Sequence, residues 1–361
     1  MVGTNQNIRG VRAMKLGDKE VKDFSIPYVI AEIGANHNGD MDLARKMIDS
    51  AKLCGCDAVK FQSWTPESVV SKGEYDSNQQ YNDSPKKHFG SLKEMVEKYY
   101  LRPDQHIELK KYCDNAEITF FSTPFSIKEV DFLEELKVPF YKVASMDVNN
   151  LLLLKHIAKK NKPIIMSTGM ATLAEIENAV KTIEGEGNHQ IILLHCIAIY
   201  PPAYEDINLN NIPMLRQTFG YPVGFSDHTI GVSIPLASVA LGICMIEKHF
   251  TLDKDLPGWD HEVSANPEEM RIIVAESRNI VNSLGTFRRT VSQAEEEKKL
   301  KFRRSIVANS GLKKGHKITS TDLSFKRPGI GIPPDRLNYV IGRKLNKEVK
   351  SDELIRWPDL A

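Results

Sequence analysis

Cysteine is scarce in this chain and does not pair: Cys54, Cys56, Cys113, Cys196 and Cys244 form an odd set without a C-x-x-C spacing. That argues against a disulfide framework and a structural zinc site, and for reduced thiols in a cytoplasmic setting. Long apolar runs are also missing. The longest weakly polar stretch, 233–246, is too short to span a bilayer. The opening residues MVGTNQNIRG lack the apolar core of a secretory leader, so neither export nor a membrane anchor is expected. No GxGxxG phosphate loop follows any strand-like run, which weakens the case for an open dinucleotide-binding sheet. What is present is ordinary globular material: 361 residues, 41% hydrophobic and 26% charged. That length fits one large domain of roughly 250–300 residues and a small one.

Net charge is +1 but unevenly shared. From Lys298 onward there are 16 Lys and Arg against 6 Asp and Glu, a net +10, which leaves the preceding body at −9. A basic tail can mean nucleic acid, but no nucleic-acid motif accompanies it. A small basic domain docked on a larger acidic surface is the expected reading.

Short β-branched runs alternate with helical patterns along the first 285 residues. Strands are expected at 28–33, 58–62, 118–122, 140–145, 163–168, 190–196, 221–225 and 243–249. The first helix is expected to start at Asp40 as N-cap, with Leu43, Met47 and Ala51 on one face. Eight strands each followed by a helix predict an α/β fold, a (β/α)8 TIM barrel over 1–285. Residues 8–23 read as an N-terminal hairpin. The polar insertion 64–90 is either an active-site lid or a disordered bridge. A charged linker is expected at 286–299. A small module rich in turn signals follows at 300–361, too short to carry a large core of its own.

Barrel enzymes place chemistry at the C-terminal ends of their strands. Each expected strand delivers something polar there: Glu32; Lys60 and Gln62; Thr123; Lys142, Ser145 and Asp147; Ser167; His195 and Tyr200; Ser226, Asp227 and His228; Glu247, Lys248 and His249. Charged groups are rarely buried without partners. Two lysines among hydroxyls suit phosphate and carboxylate groups. His228 and His249 could share a divalent metal that polarises a carbonyl. His37 is a weaker metal candidate, with a solvated loop histidine beside glycines as the alternative, and Cys54 and Cys56 read as packing groups.

In order, AEIGANHNGD, VKFQ, FFSTPF, YKVAS, STGM, LLHC-x-x-x-YP, GFSDHT and EKHFTLD resemble the sialic acid (nonulosonic acid) synthases. RRSIVA, KGHKITSTDL, KRPGIGI and IGRKL resemble the antifreeze-like (SAF) domain appended to them. The resemblance covers nearly the whole chain. It implies condensation of phosphoenolpyruvate with an N-acylated hexosamine, giving a nine-carbon 2-keto acid and phosphate. It implies Mn²⁺, with Mg²⁺ or Co²⁺ as substitutes, on His228 and His249. Glu32 then takes acid/base or orienting work, and Lys60, Thr123, Lys142, Ser145, Ser167 and Ser226 hold phosphoenolpyruvate. Tyr200, Asp260 and Asp147 fall on the sugar side. Arg327 of KRPG is expected to reach the sugar site of the other subunit in a domain-swapped homodimer, with neither nucleic acid nor membrane as partner.

Three departures bear on the sugar. Where such synthases often read GSGE, this chain has Ala144-Ser145-Met146-Asp147, which retracts the carboxylate by one methylene. Ala198 stands where Asn or Ser is frequent. Trp259 is a bulky indole that either packs on a 6-deoxy sugar or fills the rim. The acceptor stays open between N-acetylmannosamine and a 2,4-diacetamido-2,4,6-trideoxyhexose, with Ala198 favouring the modified sugar. Two rival readings are a related synthase acting on a phosphosugar and a non-enzymatic carbohydrate- or ice-binding protein. The first lacks a second basic cluster in the barrel, and the second leaves the buried ionisable groups unexplained.

Overall fold

The computed structural model describes residues 13–80, 90–286 and 288–361. The chain divides into two compact units, Met1–Gly285 and Thr286–Ala361. In the first, a two-stranded hairpin, β1 (Met14–Leu16) and β2 (Lys19–Val21), precedes the barrel. The expected start of that hairpin, 8–12, lies outside the described residues.

Eight parallel strands follow. They are β3 (Tyr28–Gly34), β4 (Ala58–Ser63), β5 (Thr119–Pro124), β6 (Tyr141–Val143), β7 (Ile164–Ser167), β8 (Ile191–Cys196), β9 (Val223–Asp227) and β10 (Met245–His249). Their order is β5-β4-β3-β10-β9-β8-β7-β6, a (β/α)8-type barrel that is nearly closed. At the seam between β5 and β6, the rings of Phe121 and Phe140 meet at 4.6 Å.

Alternation along each strand sorts the side chains. Val29, Ala31 and Ile33 face the surrounding helices and join the main core. Tyr28, Ile30, Ala58, Phe121, Ile165, Ile192, Leu194 and Met245 form a second apolar cluster, which fills the barrel interior. The next inward residue on each strand, one layer up, is where the polar groups begin. The first helix, Met41–Cys54, is capped as expected, with Asp40 accepting from the backbone N–H groups of Asp42 and Leu43. Cys54 and Cys56 are buried at its end, and all five cysteines are free.

The 64–90 segment is not uniformly polar coil. Pro66–Val69 and Lys72–Ser77 are helical, and 81–89 lies outside the described residues. Trp64 joins Leu92, Met95, Val96 and Tyr99 in a satellite cluster against Ala35. The sequence pattern missed this because the apolar anchors flank the polar run instead of punctuating it.

In the second unit, the stretch read as a charged linker contains a helix, Gln293–Phe302, closed by a capping box between Ser292 and Glu295. Antiparallel β11 (Ser305–Ala308) and β12 (Leu323–Lys326) start a compact module. Ile306, Leu312, Ile318, Ile332, Val340, Val349 and Ile355 give it an apolar cluster of its own, despite its size. Among the described residues no helix is long and apolar enough to cross a membrane.

Candidate active site

The polar layer opens into a cavity of about 230 Å³ at the C-terminal mouth of the barrel. Strand register assembles it. Glu32 lies level with Lys60 on one side and His249 on the other, and Glu247 lies level with Ser226. Gly34 allows the crowding above Glu32: its φ is +53°, and a Cβ there would sit 3.1 Å from the Glu32 carboxylate.

The floor is a network of buried opposite charges. Lys60 Nζ lies 2.8 Å from Glu32 Oε2 and donates to Thr123 Oγ1 at 3.0 Å. Lys142 Nζ donates to Ser167 Oγ at 2.7 Å. Glu247 stands between the two lysines, 3.9 Å from Lys60 and 3.8 Å from Lys142, and accepts from Ser226 Oγ at 3.1 Å. Gln62 Nε2 donates to the other oxygen of Glu32 at 3.0 Å.

Burial raises the Glu32 carboxyl to about 7, with Lys60 opposing and Glu247 adding to the rise. Burial also pushes Glu247 upward, but Lys142 and Lys60 outweigh it and hold that carboxyl below its usual range. Burial draws Lys142 down. The result is one carboxyl poised near neutrality beside one that stays ionised, an arrangement suited to acid/base work.

Two histidines close one side. Their ring centroids are 5.4 Å apart. His228 Nδ1 is 2.7 Å from the Ile197 carbonyl, and its side chain also meets the Cys196 thiol. His249 Nδ1 is buried without a hydrogen-bond partner, and Asp260 Oδ2 is 3.7 Å from it. Burial, reinforced by His228 and the lysines, keeps His249 neutral. A neutral imidazole, an orphaned ring nitrogen and a second imidazole anchored through its far nitrogen fit a divalent cation. Among the described residues no group of three or more His, Cys, Asp or Glu is placed to hold a metal.

Of the expected site residues, ten line this cavity: Glu32, Lys60, Thr123, Lys142, Ser145, Ser167, Tyr200, Ser226, His228 and His249. Tyr200 lies over His228 at 3.9 Å between ring centroids. Three do not line it. Asp147 sits in the 3-10 turn Ser145–Asp147, accepts from Asn150 Nδ2 at 3.0 Å and is buried beneath the loop. Asp260 does not line the cavity, but its Oδ2 lies 3.7 Å from His249 Nδ1 and its charge acts on Lys60 and Tyr200. Arg327 belongs to the second unit, where its guanidinium lies over Phe302 at 4.8 Å.

Other expectations shift as well. His37 is buried, not solvated, and its Nδ1 accepts from Gly39 N–H at 3.0 Å. His195 is on the outward face of β8, 2.7 Å or closer to a carbonyl: its Nε2 is 2.6 Å from that of Ile207. Trp259 packs on Trp64 and Tyr99, at 6.2 and 5.5 Å between ring centroids, and does not line the cavity. Glu247 and Gln62, expected at strand ends but given no role, also line the cavity, as does Cys196.

A nearly closed parallel barrel whose mouth gathers lysines, hydroxyls and a histidine pair defines an enzyme acting on a small, multiply charged anion. Comparison with known proteins gives the family. The NeuB family matches residues 47–289 and the SAF domain residues 303–361. The chain is 43% identical to an uncharacterized protein of Methanocaldococcus jannaschii, covering 96% of this chain and 98% of that one. It is 41% identical to the N,N'-diacetyllegionaminic acid synthase of Campylobacter jejuni, over 91% of this chain and 98% of the other. Among solved structures, an N-acetylneuraminic acid synthetase from Leptospira borgpetersenii in complex with citrate is 33% identical. It matches with a TM-score of 0.71, over 80% of this chain and 95% of that one. The chain belongs to the NeuB family of nonulosonic acid synthases and ends in a SAF domain. It is an enzyme, a phosphoenolpyruvate-condensing transferase.

Proposed function

We propose that the enzyme condenses phosphoenolpyruvate with a 2,4-diacetamido-2,4,6-trideoxyhexose, in its open-chain aldehyde form, to a legionaminic-type nine-carbon acid. The observation that carries the donor half is the floor: two buried lysines, each hydrogen-bonded to a hydroxyl. Lys60, Thr123, Lys142, Ser145, Ser167 and Ser226 hold the phosphate and carboxylate, since both are dense arrays of acceptors. The sugar is supported by the 41% identity to a protein named for diacetyllegionaminic acid. Ala198, in the cavity wall, offers no side-chain hydrogen bond to a hydroxyl.

C3 of phosphoenolpyruvate forms the new bond to the aldehyde carbon as the C=O π bond opens, and the resulting alkoxide takes a proton from solvent. Water adds at C2, and the C2–O bond to phosphate breaks to release inorganic phosphate. Both oxygens of Glu32 face donors, Lys60 and Gln62, which favours its ionised form. Glu32 is therefore assigned as the base that takes the proton of the adding water. His228 and His249 would hold the divalent ion, Mn²⁺ above Mg²⁺ or Co²⁺, whose chemistry is to polarise the acceptor carbonyl. Tyr200 and Asp260 stand on the acceptor side. The opposite charges of tail and body favour a homodimer in which Arg327 serves the other copy's sugar end. A cytoplasmic setting suits the five free cysteines.

The test is phosphate release from phosphoenolpyruvate with Mn²⁺ and either the diacetamido sugar or N-acetylmannosamine, with product mass measured alongside. Release with the diacetamido sugar, abolished by a chelator and restored by Mn²⁺, is expected. A preference for N-acetylmannosamine overturns the acceptor.

A further inference from the structure

The cavity floor is polar all round, but its rim is not. Walking the barrel from β5 to β8, the residues just past the strand ends are Phe125, Met146, Met170 and Ala198, and all four line the cavity. The opposite arc carries Glu32, Gln62, His228 and His249. Ser145, Ser167 and Tyr200 are polar lining residues on the β5-to-β8 side, and the four rim residues form an apolar arc among them.

The two thioethers stand out by exposure. Met146 is 60% and Met170 72% accessible, although each borders a deep site. Both also line an adjoining hollow of about 310 Å³ with Asn149 and Glu175, so they form the ridge between two cavities. Met170 adopts φ +62°, a left-handed conformation that a methionine enters only at a cost in strain. Gly169, just before it, packs so closely on Ser145 and Ala198 that a Cβ would lie 2.8 and 3.2 Å from them. That approach binds the three loops into one wall. Phe125 is held from behind by Trp64, at 6.1 Å between ring centroids.

Phosphoenolpyruvate supplies a carboxylate, a phosphate and one methylene, and the polar floor answers to those. An apolar arc with two exposed methionines has no counterpart on it. We infer that this arc, with Met146 and Met170 as its ridge, is the specificity surface for the acceptor and receives its methyl groups, those of the N-acyl substituents and of a deoxygenated C6. Unbranched thioethers adapt to such irregular apolar groups. The inference rests on the synthase reading above and deepens it.

The experiment is steady-state kinetics of the full-length, Mn²⁺-loaded protein and of Met146→Gln and Met146→Leu, each with the diacetamido-trideoxyhexose and with N-acetylmannosamine. Thermal melting and phosphoenolpyruvate binding by calorimetry serve as folding controls. Met146→Gln is expected to lower the ratio of kcat/KM for the two sugars about 10-fold, through KM for the deoxy sugar. KM for phosphoenolpyruvate should stay within about two-fold and Met146→Leu should keep the ratio. A ratio unchanged in Met146→Gln, with the protein folded and active, overturns the inference and leaves the synthase reading standing. No turnover of either sugar by the unaltered protein overturns the synthase reading, and the inference with it.

Discussion

Glu32 shows how much a single residue's environment decides. It is a carboxyl on a strand, 2% accessible, with a lysine and an amide on its two oxygens and a second carboxylate across the floor. Burial brings it to about 7. As the ionised form is the one assigned to take a proton, kcat/KM should rise with pH through a limb near that value. Glu32→Gln should remove the limb and cost about 10²–10⁴ in kcat, while phosphoenolpyruvate binding, measured by calorimetry, survives. A flat profile through neutrality in the unaltered protein would take Glu32 out of the proton transfer. Glu32 itself was legible in the sequence, as an acid at a strand end. Its raised proton affinity was not, because that comes first from burial in the closed barrel and then from Glu247, more than two hundred residues away, which only the register of β10 against β3 brings near.

At the scale of the strand, the alternation that points Ser226, His228, Glu247 and His249 into the mouth sends Asp227 and Lys248 outward, into the layer under the helices. There they form an ion pair at 2.6 Å with no accessible surface on either side chain. Lys248 also donates to the Thr229 carbonyl, and Asp227 accepts from Thr229 N–H at 3.0 Å. This clamp ties together the two strands whose ends carry the histidine pair. Asp227→Ala leaves a buried lysine without its partner and should destabilise the protein by about 3–5 kcal/mol. The double replacement Asp227→Leu with Lys248→Met should cost less than that single change, because no unpaired charge remains. Urea denaturation measures both. Equal losses in the two variants would show that the ion pair does not dominate the site's stability.

For the whole molecule, the proposed homodimer makes a prediction that neither unit makes alone. If Arg327 serves the other copy, a heterodimer of His249→Ala and Arg327→Ala contains one intact site, with its barrel from one chain and its arginine from the other. Mixing the two inactive or impaired variants under exchange should restore about a quarter of the unaltered rate at low sugar, from the statistical yield of mixed dimers. If Arg327 acts within its own chain, no mixed dimer has a whole site and the mixture stays at the level of its components. The charge division, +10 from Lys298 onward against −9 before it, was legible in the sequence and motivates the test.

The sequence by itself determined the barrel, its first helix cap and which polar residues stand at the strand ends. Period-two runs separated by helical ones leave few alternatives, and strand ends in such a fold are where polar groups gather. Tertiary structure decided what alternation and register control. It turned Asp147 onto Asn150 and His195 onto the Ile207 carbonyl. It placed Glu247 between two lysines and set Trp259 against Trp64. It also gathered Phe125, Met146, Met170 and Ala198 along one side of the mouth. A residue's type travels with the sequence, but its partners come from distant strands, and those partners set its charge, its orientation and the surface it offers.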